Sequence, residues 1–172
     1  GTVKANLLAG PGMLQGDVEI DAVAGVATFA DLAYRATADN EPVQLRFEGA
    51  QASVTTAVIA DVVATQLVFS RQPAPRVGRL NGVIDLIIDP QLVARDESGV
   101  TDVDFTDDVT LTATGRGVAT LTNNTLAATA GVADFVGLTL GYAAANDQTF
   151  DLQADDTPGG DEGDVSGATS GA

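Results

Sequence analysis

The stretch GVATFADLAY (25–34) returns as GVADFVGLTL (131–140), a spacing of 131 − 25 = 106 positions. Aligned without gaps, 25–40 and 131–146 agree at seven of sixteen places, sharing Gly, Val, Ala, Phe, Leu, Ala and Asn. Average residue usage predicts about one agreement. The chain is therefore written twice over part of its length. Past Asn40 and Asn146 the copies slip by one residue, so that Val43, Leu45 and Phe47 fall opposite Phe150, Leu152 and Ala154. Both runs alternate, as a strand with one buried face does. Upstream, 3–16 sits roughly opposite 109–122.

The copies also share an irregularity. Ala27 and Phe29 alternate, but the next large apolar residue, Leu32, comes three positions on; Ala133, Phe135 and Leu138 repeat the step. Strict alternation would turn Leu32 and Leu138 to the outer face, so a bulge or a corner between strands is expected at both places. Gly25 and Gly131 suit a tight turn with positive φ. Phe29, Phe135, Leu32 and Leu138 are the expected core, each worth roughly 1.5–3 kcal/mol when buried.

Composition points the same way. Of 172 residues, 45% are hydrophobic but only 5% aromatic, with no Trp, Cys or His. Val and Thr favour strands, Gly and Asp turns, and no apolar run is long enough to cross a bilayer. The fold class expected is all-β, a β-sandwich written twice with the first copy incomplete. Strands are expected near 3–8, 17–22, 25–30, 43–48 and 53–60, then near 65–70, 83–88, 91–95, 108–114, 117–122, 125–129, 131–136 and 149–154. The domains expected are 1–61, the back part of one repeat; 62–154, a second repeat; and 155–172, an acidic Gly-rich closing segment or tail. Residues 62–94 have no counterpart ahead of residue 1, and the tail offers no convincing last strand opposite 51–62. With no basic and apolar leader at its start, the chain reads as mature or as a piece cut from a longer array.

Asp96-Glu97-Ser98-Gly99, Val109-Thr110-Leu111, Gly115, Leu121 and 131–138 together resemble the bacterial Ig-like repeats of invasin- and intimin-type surface proteins, and 25–32 carries the same signature. The resemblance covers most of 62–154 and the back half of the module in 3–62. It implies tandem immunoglobulin-like β-sandwiches, the first incomplete, in an extracellular, cell-surface array where such modules serve as stalk or spacer. The partners it implies are neighbouring repeats of the same array or same-type chains.

Chemistry is sparse. Without His or Cys there is no Ser-His or Cys-His nucleophile and no ordinary zinc site. Carboxylate pairs abound, but the chain has no Trp and two Tyr for stacking sugar rings, and no acid pair stands out for glycoside hydrolysis. No catalysis is expected. A net charge of −16, from 24 acidic residues against 8 basic ones, repels nucleic acid and anionic lipid; neither partner nor membrane insertion is expected.

The acidic residues have two readings. One is a solvated coat. The other is oxygen ligation of calcium, for which Asp102, Asp104, Asp107 and Asp108 crowd one loop and Asp61 marks the junction of the copies. The loop lacks the spacing of an EF-hand, and GGDEGDVSG (159–167) only approaches the GGxGxD calcium repeat. Asn123-Asn124-Thr125 reads as a turn, and RQPAPRVGR (71–79) as a kinked edge strand whose Arg71, Arg76 and Arg79 can meet acidic neighbours. The structural role has a rival: an interaction module, or filament subunit, completed by a strand from another chain.

Overall fold

The computed structural model describes residues 1–74, 82–85, 88–115, 118–143, 150–157 and 165–170. Among these the protein is all-β with no helix, built from several antiparallel sheets. The chain divides into two compact units, Gly1–Val62 and Val63–Ala172.

The first unit has six strands. β1 (Thr2–Ala9), β3 (Glu19–Asp21), β5 (Glu41–Glu48) and β6 (Ser53–Ala60) form one sheet in the order β3-β1-β5-β6, and β2 (Met13–Gln15) pairs with β4 (Ala33–Arg35). β1 is bulged between Leu7 and Ala9. Pro42 is tolerated in β5 because the β1 ladder has already ended at Gln44, leaving Pro42 opposite Ile59 of β6 alone. Its apolar interior is thin. The fully buried apolar residues are Ala5, Val43 and Val62, while Phe29, Leu32, Tyr34, Leu45 and Phe47 are half-buried. The rings of Phe29 and Phe47 meet at 5.3 Å, tilted by 57°, a separation at which aromatic pairs attract.

Among its described residues the second unit has ten strands: β7 (Gln66–Arg71), β8 (Gly82–Asp85), β9 (Gln91–Arg95), β10 (Asp108–Gly115), β11 (Val118–Thr122), β12 (Thr125–Ala127), β13 (Val132–Asp134), β14 (Thr139–Ala143), β15 (Phe150–Asp156) and β16 (Ala168–Thr169). Their sheets run β12-β10-β15-β16, β13-β9-β7 and β11-β14-β8. Leu67, Leu92, Ala94 and Ala133 from the β13-β9-β7 side pack with Val109, Leu111, Leu152 and Ala154 from the β10-β15 side, joined by Phe105, Phe135, Leu138 and Val165. Facing sheets around one apolar layer make this unit sandwich-like. A parallel bridge from Gln66 to Ser166 ties β7 to the chain just before β16, with Leu67 N donating to Ser166 O at 2.9 Å.

The pairings repeat at the spacing seen in the sequence. Val3 faces Ile20 and Val109 faces Leu126, each 106 positions on. Val23 and Val26 exchange two backbone hydrogen bonds around Ala24 (φ 52°) and Gly25 (φ 83°). Thr129 and Val132 do the same around Ala130 (φ 51°) and Gly131 (φ 74°). Two successive positive φ values inside a closed two-residue loop define a type I′ turn, so both copies carry one. The one-residue slip is also real: Ala5 pairs with Phe47, and Leu111 with Ala154. The large and small members have changed sides between copies.

Several strand expectations need correction. Residues 25–30 form no strand; only the Val23–Val26 bridge survives there, because the first unit holds no equivalent of β9 to pair with. The extra residue before Leu138 makes a corner. Leu138 N donates to Phe135 O at 3.2 Å, and the chain passes from the β13 sheet to the β11-β14-β8 sheet. β2, β4 and β14 lie outside the expected strands, and β2 and β4, of three residues each, are too short for alternation to mark them in the sequence. The tail beyond 154 contributes more than a loose end: β15 runs on to Asp156, and Ala168–Thr169 pairs with it as β16. Phe135 and Leu138 are only 2% and 1% exposed, as expected of core, but Phe29 and Leu32 are only half-covered.

Candidate functional site

Asp102 sits in the loop between β9 and β10 and is fully buried. One carboxylate oxygen accepts from Ala64 N at 2.8 Å; the other accepts from Phe105 N at 2.9 Å and Asp104 N at 3.2 Å. Burial pushes its carboxyl up to about 6, and the nearby Asp104 carboxyl adds to the rise, while the amides of Ala64 and Phe105 pull it back. Its backbone works as well: Asp102 N donates to Ala94 O, and Gly131 lies directly against its carbonyl. The loop is fastened so that the Phe105 ring enters the core with no exposure.

Of the five acids expected to ligate calcium, Asp102 is engaged by backbone amides. Asp104 and Asp108 are exposed and Asp107 is half-buried, and no three of the four carboxylates bring oxygens within 4.8 Å of one another. Asp61 is exposed at the end of the first unit, directly after β6. Residues 158–164 of the acidic tail, and Arg76 and Arg79, lie outside the described residues. Arg71 does meet an acid, pairing with Asp134 across β7 and β13, and Gln91 completes the group at 3.0 Å. Both partners of that ion pair are about 40% exposed, so it is worth about 0–1 kcal/mol. Asn123-Asn124-Thr125 is a turn: Asn123 has φ 59° and Asn124 Nδ2 donates to Leu111 O at 2.8 Å.

A second buried acid, Glu41, carries no sequence signal beyond its turn. It is 4% exposed and accepts from Thr37 N, Thr37 Oγ1 and Ala38 N at 2.9, 2.8 and 3.0 Å, from Gly12 N at 3.3 Å, and from the Tyr34 hydroxyl. The Tyr34 hydrogen bond, aided by those of Thr37 and Ala38 against the opposing effect of burial, holds its carboxyl down at about 2. Burial and the Glu41 hydrogen bond push the Tyr34 hydroxyl up. The group clamps the 34–41 connection onto the turn at Gly12. A thorough set of donors makes a good structural anchor and a poor proton carrier.

A shallow depression of about 470 Å³ runs over the outer face of β10, β15 and β16, lined by Thr110, Thr112, Gln153, Asp155 and Thr169 among others. Thr112, Gln153, Asp155 and Thr169 are exposed, outward members of alternating strands.

The remaining feature is an absence of cover on the first unit. β6 is exposed over seven of its eight residues, with Val54 at 63% and Ile59 at 62%, and among the described residues it pairs on one side only. Val23 and Val26 are 77% and 64% exposed. In the second unit the matching places are closed by β7 and β9. Among the described residues no helix is long and apolar enough to cross a membrane. Comparison with protein-family models, with curated proteins and with solved structures finds no match to this chain.

Proposed function

We propose that this chain is a pair of tandem Ig-like sandwich modules acting as a structural spacer in a secreted or surface-attached bacterial repeat protein, without catalysis. The observation that carries the reading is what the copies share. The type I′ turn, the β1–β3 and β10–β12 registers and the slipped β5/β15 ladder recur, and all of these are elements of folding. The second unit's sheet orders favour the Ig-like assignment. β9 with β13, and β10 with β15 and β16, stand as the B–E and C–F–G groups of that architecture, and the parallel link from β7 to Ser166 joins first strand to last. The net charge of −16 discourages self-association. Sedimentation across a wide concentration range tests the role. A spacer module stays monomeric, and concentration-dependent polymers contradict it.

A second reading has its own support. The uncovered edges of the first unit favour an interaction module completed by a strand from elsewhere.

A further inference from the structure

We infer that the edge of the first unit at Val26–Thr28 is a docking site for an extended segment of repeat-type sequence with the chemistry of residues 88–105. The inference rests on the second reading and supplies its occupant.

The second unit is the mould for the argument. There Val132, Ala133 and Asp134 pair with Val93, Leu92 and Gln91, and Phe135 N donates to Pro90 O at 3.0 Å. Gly131 O accepts from Ala94 N, while Gly131 N donates to Phe105 O. A Cβ on Gly131 would lie 2.0 Å from Asp102 O. Segment 90–105 thus wraps this one turn-and-strand and covers Phe135 and Leu138.

The first unit carries the same surface without the cover. Its turn has closely similar φ values and the same pair of hydrogen bonds. Val26, Ala27, Phe29 and Leu32 reproduce Val132, Ala133, Phe135 and Leu138. A Cβ on Gly25 would meet nothing within 4 Å. The space that Asp102 fills against Gly131 is open against Gly25. The outer edge of β6 is open as well, and in the second unit the corresponding side is bridged by β7, the strand next to β9. The open edge at Val26–Thr28 thus matches the place that β9 holds beside Val132–Asp134 in the second unit.

The occupant is an unpaired segment, since β9 of a folded copy is already held between β7 and β13. Backbone hydrogen bonds supply register, and Leu92 and Phe105, both without exposure in the second unit, supply the apolar anchors.

The probe is a synthetic peptide of residues 88–105, titrated into the intact chain at physiological salt, where like charges are screened beyond about 8 Å, and followed by amide NMR. The expected result is saturable 1:1 binding with shifts concentrated at 23–32 and amide exchange at Phe29 slowed by about tenfold or more. The same peptide with Leu92→Asp does not bind, and Gly25→Asn, which keeps a residue tolerant of positive φ but fills the vacancy, weakens binding by about tenfold or more. Absence of binding, equal binding by the Leu92→Asp peptide, or shifts at 129–138 in place of 23–32 overturns the inference. Sedimentation judges the spacer role separately, so the two can fail independently.

Discussion

The carbonyl oxygen of Asp102 occupies the space that a side chain on Gly131 would need, 2.0 Å from the Cβ position, while the same turn in the first unit leaves Gly25 with open surroundings. Gly25→Ala meets only the cost of a left-handed alanine, about 1 kcal/mol after the gain from a less flexible unfolded chain. Gly131→Ala adds a backbone collision and is expected to cost about 2–5 kcal/mol. Urea titration with residue-resolved NMR, reporting each unit separately, distinguishes the two; equal losses would contradict the account.

Ala24 and Ala130 hold positive φ without being glycine, a conformation costly for alanine and tolerated by asparagine. Both are exposed. Ala24→Asn and Ala130→Asn create the Asn-Gly pair favoured in type I′ turns and are expected to stabilise their units by about 0.5–1 kcal/mol, read as higher urea midpoints.

The buried acids give the two units opposite pH responses. Asp102 is raised from 3.8 to about 6, so its contribution is complete below pH 3.8 and lost as pH rises through 6. Glu41 is lowered from 4.5 to about 2, so its contribution is present above pH 4.5 and lost as pH falls toward 2. Unit-resolved stability from pH 2 to 7 is expected to show the first unit weakening in acid and the second gaining between pH 6 and 4. Asp102→Asn removes the second slope and leaves the first.

Leu111 and Ala154 face each other where Ala5 and Phe47 do in the first unit. Leu111→Ala is expected to cost about 2–5 kcal/mol and Ala154→Phe about 1–3. The double variant rebuilds the first unit's pair and is expected to cost at least about 1 kcal/mol less than the sum. Additivity in chemical denaturation would mean that the two positions do not share one site.

What reads from the sequence follows from which forces are local. β6 reads at 53–60 because its β-branched run and flanking turns need no partner to be recognised. The equivalence of Phe47 with Ala154 reads from the slip after Asn40, since register is carried by alternation. The fate of 25–30 does not read, because a strand exists only where another pairs with it, and β9 has its match in one unit alone. The closing strand Ala168–Thr169 is too short and too small-sided to show alternation. Of the four loop acids, sequence shows the crowding and hides the direction: Asp102 turns inward to three amides, which only the packed loop reveals. Glu41 draws its partners from Gly12, Tyr34, Thr37 and Ala38, a convergence set by tertiary structure.

The central claim is that the repeated turn and segment at 23–32 and 129–138 are covered in the second unit and open in the first, and amide hydrogen exchange at Phe29 and Phe135 tests it most directly. The account predicts strong protection at Phe135, whose N–H is held by Pro90 O, and exchange near the unprotected rate at Phe29, with the Val26 and Val132 turn amides protected in both copies. Equal protection at Phe29 and Phe135 would contradict it.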